Sequence, residues 1–249
     1  MNNGKEIGIE KMKMTYTEFL KAFGNVKKET KITGTDSIAY IYLPTSKYFK
    51  IDNLFRKYKN KKTIILDCRG YGTMASLRLG KLLNKKPQDV ATIYTPSKKY
   101  PGVFERKKNE NYYFSNTLDV VGKVLFQYKG KVFPTFNKPY KGKVVVLIDE
   151  SAVSFGETVI MLIKAYAKDA TLIGRPTMGA NGNVTTLKLP LGAELYYTGI
   201  DFRFADGTEL QRQGIQPTIY VPKTIEATIN NKDEILEAAL KHIKDGRGE

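Results

Sequence analysis

The chain has 249 residues, 41% of them hydrophobic, which is enough for one large core and argues against disorder over most of its length. A single cysteine, Cys68, excludes an internal disulfide, and one histidine beside one cysteine forms no zinc-ligand cluster, so neither a metal nor another cofactor is expected. The formal net charge of +16 would attract polyanions, but the lysines are scattered as short pairs such as Lys27-Lys28 and Lys107-Lys108, so nucleic acid is not the expected partner.

Residues 1–35 are polar and lysine-rich, with one weakly amphipathic helical stretch around Tyr16 to Phe23, and read as a lead-in or truncated linker. No apolar run reaches the roughly 18 residues of a spanning helix, and the opening residues carry no apolar signal core. From residue 36 to 249 the pattern is that of one catalytic-size domain. It runs through a strand at Ser37 to Leu43, a helix at Asp52 to Lys59, a strand at Thr63 to Asp67 and a helix at Thr73 to Leu83. A strand at Val90 to Tyr94, a strand at Lys143 to Asp149 and a helix at Ser154 to Ala167 follow. Continuous β-branched runs joined by helices are what a mainly parallel sheet, covered on both faces, requires. The fold class is α/β.

Between about 96 and 141 the pattern loosens into Lys, Asn, Gly and Pro, which predicts a surface insertion with a hairpin around Lys123 to Val132. The last third is strand-rich, at about Val184 to Leu189, Glu194 to Thr198, Phe202 to Phe204 and Ile219 to Val221, and it closes with a helix at Asp233 to Ile243.

Two strand-to-helix junctions could carry chemistry. In KVVVLIDESAVSFGETVIMLIKAY, Ser154 stands where a buried strand gives way to an apolar-faced helix, among unpaired N–H groups at the positive end of the helix dipole. A serine there serves either as an N-cap or as a nucleophile. In the second role the Phe155 N–H can hold an oxyanion, and the small Ala152 and Gly156 leave room for a substrate carbonyl. In TIILDCRGYGT, the glycines permit close backbone approach, and Gly72 can offer a second N–H to the same oxyanion; a plain tight turn explains them equally well. Asp67 and Arg69 read as structural partners.

The block from Asp149 to Glu157 resembles the Asn/Asp-Glu-x-x-x-Ser-x-x-Glu segment of the tail-specific protease and tricorn-core family of serine peptidases. DCRGYGT resembles that family's Asp-x-Arg-Gly-Asn/Tyr-x-Gly turn, with the closing glycine one place early at Gly72. IGRPTMGANG and GTELQRQGIQP resemble its Gly-x-x-Thr-x-Gly and Gly-Ile-x-Pro-Asp signatures. The resemblance implies a crotonase-like, or ClpP-like, spiral α/β fold. It implies Ser154 as the nucleophile of an endopeptidase acting on extended or unfolded polypeptides, Glu157 as the acidic residue one turn on, and Gly72 and Phe155 as the oxyanion hole. It also implies a bacterial protein at the periplasm or cell surface.

The departures from the pattern concern the base. Tail-specific members use a lysine directly after the Gly-x-x-Thr-x-Gly motif, and here that position is Ala180, with Lys188 and Arg175 nearby. Tricorn-core members use an upstream histidine and an acid near Gly-Ile-x-Pro. Here the only histidine is His242 on the last helix, the acid position reads Gln211 with Glu209 two residues before it, and Thr218 replaces the motif's Asp. The expectation is a peptidase domain whose base lies upstream of this stretch. The alternative is a catalytically inactive relative that kept the fold to bind peptides or other ligands.

Overall fold

The structure, a computed structural model, describes residues 37–46, 50–86, 88–96, 104–106 and 138–246. The lead-in over 1–35, the stretch Tyr16 to Phe23, the hairpin Lys123 to Val132 and most of the insertion at 96–141 lie outside the described residues.

Five strands form a wholly parallel sheet: β1 (Ile38–Tyr42), β2 (Thr63–Asp67), β5 (Lys143–Ile148), β6 (Thr171–Gly174) and β10 (Ile219–Tyr220), in the order β1-β2-β5-β6-β10. Successive residues of a strand point to opposite faces, so each apolar run feeds two cores at once. Ile64 and Leu66 of β2 join Val144, Val146 and Ile148 of β5 on one face, while Ile65, Val145 and Leu147 lie on the other. That two-sided burial explains why these strands carry no polar alternation.

The first face is covered by α1 (Lys50–Lys57) through Ile51 and Phe55, by α2 (Leu79–Leu83), and by α3 (Phe155–Tyr166) through Val159, Ile160 and Ile163. The second is covered by α5 (Glu234–Asp245) through Ile235, Ala239 and Ile243, spaced four residues apart. α1 and α5 thus each hide one stripe and leave the other wet, whereas α3 is buried around most of its circumference, in an unbroken run from Val159 to Ile163.

Two expectations need correction, and one element was not foreseen. The strand expected at Val90 to Tyr94 is β3 (Ala91–Pro96), but it lies outside the parallel sheet, between β4 (Phe104–Arg106) and β9 (Asp201–Phe204), antiparallel to both. Ile93 and Phe202 are buried in the common core, with Ala91 and Phe204 packed against it, and the partner strand β9 comes from far along the chain, which a local pattern does not announce. The helix expected at Thr73 to Leu83 starts as a 3₁₀ turn, Met74–Arg78, and becomes α-helical only at Leu79. Thr73 Oγ1 donates to the Ser46 carbonyl, which holds the chain to the tighter path before the helix opens. The short α4 (Ile225–Ile229), capped by Thr224 Oγ1 accepting from the Ala227 N–H, was not legible in the apolar pattern.

The remaining pair, β7 (Val184–Lys188) and β8 (Glu194–Thr198), forms a separate antiparallel two-stranded sheet in register from Val184 opposite Thr198 to Lys188 opposite Glu194.

Candidate active site

The carboxyl edge of a parallel sheet is where loops gather and ligands bind. Here β2 and β5 are neighbours, and the two junctions singled out in the sequence both leave from that edge. Pairing continues one residue past β2, with the Cys68 N–H donating to the Leu147 carbonyl at 2.9 Å.

Ser154 is the residue immediately before α3, and its backbone has φ 52° and ψ −117°, a left-handed conformation that favours glycine. Its side chain makes no capping hydrogen bond to the helix. The hydroxyl is therefore not committed to the role that commonly explains a serine at this place. Two bonds hold the strained backbone: the Ser154 N–H donates to the Ala180 carbonyl at 2.9 Å, and the Ser154 carbonyl accepts from the Thr158 N–H at 3.2 Å.

Gly72 is brought to the head of the same helix. A Cβ built on it would stand 2.8 Å from Val159 Cγ2 and 3.2 Å from the Phe155 carbonyl oxygen. A Cβ built on Gly156 would meet the Gly70 carbonyl oxygen at 2.5 Å, with the Gly72 nitrogen 3.5 Å away. So Gly156 makes room for the Asp67–Gly72 turn, and not, as its size alone proposed, for a substrate carbonyl. As the first helical residue, Phe155 has no intrahelical acceptor for its N–H. The Tyr71 and Phe155 rings lie beside one another, centroids 6.4 Å apart.

Glu157 is fully buried, one turn into α3. It accepts from Thr177 Oγ1 at 2.6 Å, from the Gly179 N–H at 2.7 Å and from the Ala180 N–H at 3.1 Å. Burial raises its pKa above the usual glutamate value, and these donors counter only part of that shift. Thr177 also accepts from the Ile215 N–H at 2.7 Å, and thus joins the Gly-x-x-Thr-x-Gly and Gly-Ile-x-Pro segments through one hydroxyl. Neither Thr177 nor this clamp was singled out in the sequence; a threonine between two glycines in a motif next to a buried carboxylate was the available signal.

Gln211 does not reach Ser154 through any described bond. Its Nε2 donates to the Asn181 carbonyl at 2.5 Å, one residue beyond Ala180, while Asn181 Nδ2 donates to Thr158 Oγ1 at 2.9 Å. Glu209 pairs with Arg203 at 3.4 Å, and Thr218 bonds across to Leu172 through both its N–H and Oγ1. Arg175 is held by Glu150 at 2.7 Å and Asp149 at 3.6 Å, and Lys188 is exposed on β7 opposite Glu194. His242 is exposed near the end of α5, whose next turn meets Lys143 at the amino end of β5, the end of that strand remote from Ser154. Asp67 and Arg69 are partners of one another, with Asp233 and Tyr40 completing the set. Among the described residues no group of three or more His, Cys, Asp or Glu side chains could hold a metal ion.

These features define an α/β fold with a serine at a strained strand-to-helix turn. Residues 37–221 match the model of peptidase family S41, and the chain belongs to that family of serine peptidases. Among solved structures it is similar to a putative peptidase from Parabacteroides merdae ATCC 43184, at 18% identity and a TM-score of 0.60, over 91% of this chain and 69% of that one. It is also similar to mature CPAF complexed with lactacystin, at 15% identity and a TM-score of 0.56, over 83% of this chain and 51% of that one. The chain thus spans about half the length of the CPAF structure. At such identities these likenesses show the fold alone. No curated protein matches the chain.

Proposed function

We propose that the chain is a serine endopeptidase domain in which Ser154 attacks the scissile carbonyl of an extended or unfolded polypeptide and forms an acyl-enzyme. The observation that carries this reading is Ser154 itself: a non-glycine residue at φ 52° at the head of α3, its hydroxyl free of any capping role. Strain of this kind costs about 1–3 kcal/mol and persists where the surrounding structure enforces it. The Phe155 N–H and the Gly72 N–H stabilise the negative charge that develops on the carbonyl oxygen, aided by the helix dipole.

Glu157 acts without touching the substrate. It holds the 177–180 segment, whose Ala180 carbonyl fixes the Ser154 N–H. Gln211 supports the same segment from its other side through Asn181.

The general base is supplied by residues outside the described set. Ala180 occupies the position of the family's lysine, and its backbone carbonyl accepts the Ser154 N–H at 2.9 Å, which supports reading this position as adjacent to the nucleophile. The protein works at the periplasm or cell surface; among the described residues no helix is long and apolar enough to cross a membrane.

The test is covalent labelling of the natural full-length protein by a fluorophosphonate, with Ser154→Ala as control and cleavage of an unfolded protein as the second readout. Labelling confined to Ser154, and lost with cleavage in the variant, is expected. Equal inertness of parent and variant towards several unfolded substrates would leave the fold with a binding role.

A further inference from the structure

The β7–β8 hairpin is built unlike the rest of the molecule. Among the described residues its two strands share no hydrogen-bonded neighbour, so within that set neither outer edge has a strand partner for its backbone N–H and C=O groups. A two-stranded ribbon alone in water is marginal. The register places Leu187 opposite Leu195 and Thr185 opposite Tyr197 on one face, with Leu187, Leu195 and Tyr197 exposed. Leu189 extends that strip and Leu191 at the tip is fully exposed. Isolated exposed leucines are ordinary, but a contiguous strip on one sheet face marks an interaction surface.

What covers this face follows from its chemistry and its place. Unpaired strand edges demand backbone partners, which lipid tails cannot provide. The hairpin strands carry only Lys188 and Glu194, opposite one another and neutral in sum, within a chain of net charge +16, so the surface does not select a polyanion. The ribbon also follows directly on the 177–180 segment, whose Ala180 carbonyl holds the Ser154 N–H. β7 begins four residues after Ala180, at most about 14 Å of chain, and the Gly199 N–H donates to the Asn183 carbonyl at 3.0 Å to pin its base. The base of the ribbon is therefore within a few residues' reach of an extended polypeptide held at Ser154.

We propose that the β7–β8 hairpin is an accessory binding site for substrate, taking an extended, apolar stretch of an unfolded polypeptide as an added strand several residues from the scissile bond. The added strand satisfies a hairpin edge through main-chain bonds, and its alternate side chains pack on Leu187, Leu195 and Tyr197. Selection is then for unfolded chains with spaced apolar residues, independent of the residue at the cleavage point. This rests on Ser154 being the nucleophile of a peptidase, but its test does not require turnover.

The experiment uses the full chain with Ser154→Ala and a fluorescein-labelled, reduced and carboxymethylated polypeptide, with affinity read by anisotropy. A Leu187→Ser, Leu195→Ser pair is expected to weaken binding at least about tenfold, the scale of two lost apolar contacts. An Ile225→Ser, Ile229→Ser pair on α4, more exposed than the hairpin leucines and remote in sequence, is expected to change nothing. Circular dichroism and the thermal midpoint check folding, and Tyr197→Lys on the same face replaces the first pair if that pair unfolds. Absence of binding by the parent, equal affinity in the hairpin variants, or equal weakening by both pairs would overturn the proposal. So would a parent dimer that the hairpin pair dissociates without loss of polypeptide binding, since the face would then join two copies. Fluorophosphonate labelling of Ser154 in the parent reports separately on the peptidase assignment.

Discussion

The turns after β2 and β5 leave neighbouring strands at the same sheet edge, yet they are held in opposite ways. After β2, the positive φ falls on Gly70 at 123°, where it costs little, and charge fixes the turn: Arg69 donates to Asp67 at 2.9 Å and to Asp233 at 2.6 Å, while the Tyr40 hydroxyl donates to Asp67 at 2.5 Å. After β5, the positive φ falls on Ser154, and neutral backbone donors and one buried carboxylate fix the turn. The positive φ falls on a residue with a side chain at the second turn and on glycine at the first. The first turn is a brace; the second is the device it braces.

The strongest way to break the comparison is to remove the brace. Arg69→Ala leaves Asp67, which is fully buried, without its cation. Breaking one side of a buried pair costs about 3–5 kcal/mol. The denaturant midpoint should fall accordingly, with Ser154 chemistry lost as Gly72 moves. A midpoint shift under about 1 kcal/mol would show that Asp67 is satisfied without Arg69.

Next in size is the general base that the proposed mechanism requires. Ala180→Lys puts an amine at the head of the nucleophile loop while keeping the backbone bonds of residue 180. A positioned base contributes about 10²-fold or more, so fluorophosphonate labelling of this 249-residue chain should rise by that order, with a pH dependence set by the lysine. Unchanged labelling would mean that more than a base is wanting.

The buried carboxylate gives a smaller effect with a defined sign. Because burial raises the Glu157 pKa in the folded state, its favourable share of stability is fully present below the unfolded carboxylate range, about 4.3, and is lost as pH rises through the raised value. Glu157→Gln has no such titration and loses the acceptor facing the Ala180 N–H, at about 1–2 kcal/mol. The penalty, measured by urea unfolding, should shrink as pH rises from about 4.3, the unfolded carboxylate value, because the parent loses stability in that direction and the glutamine variant does not. A penalty that grows with pH would reverse the sign of the shift.

How much of this was legible follows the range of the interactions. β2, β5 and the junction to α3 are written in continuous runs such as TIILD and KVVVLID, because burial on both faces is a local property of the strand. Ser154, Phe155 and Gly72 could be named because the head of a helix and a glycine turn are local too. Their proximity is set by Gly156 against Gly70, seen only once both junctions leave adjacent strands. The pairing of β3 with β9, the Thr177 bridge to Ile215 and the Asp233 contact of Arg69 each join distant segments, up to 164 residues apart for the last, and no short pattern encodes them.

The smallest effect is the most discriminating. If Ser154 bears real strain, glycine relieves it: about 1–3 kcal/mol is recovered, against about 0.5–1 kcal/mol of added chain entropy in the unfolded state. The hydroxyl makes no capping bond to lose. Ser154→Gly should therefore be more stable than the parent by about 1 kcal/mol while wholly unable to form an acyl-enzyme. Ser154→Ala keeps the Cβ and the strain, and should abolish acylation with no gain in stability. Differential scanning calorimetry of the two variants beside the parent separates the cases. A higher midpoint for glycine alone ties the strain to the nucleophile position; equal midpoints for all three would make the turn an ordinary one, and the brace at Arg69 would then support nothing but the sheet edge.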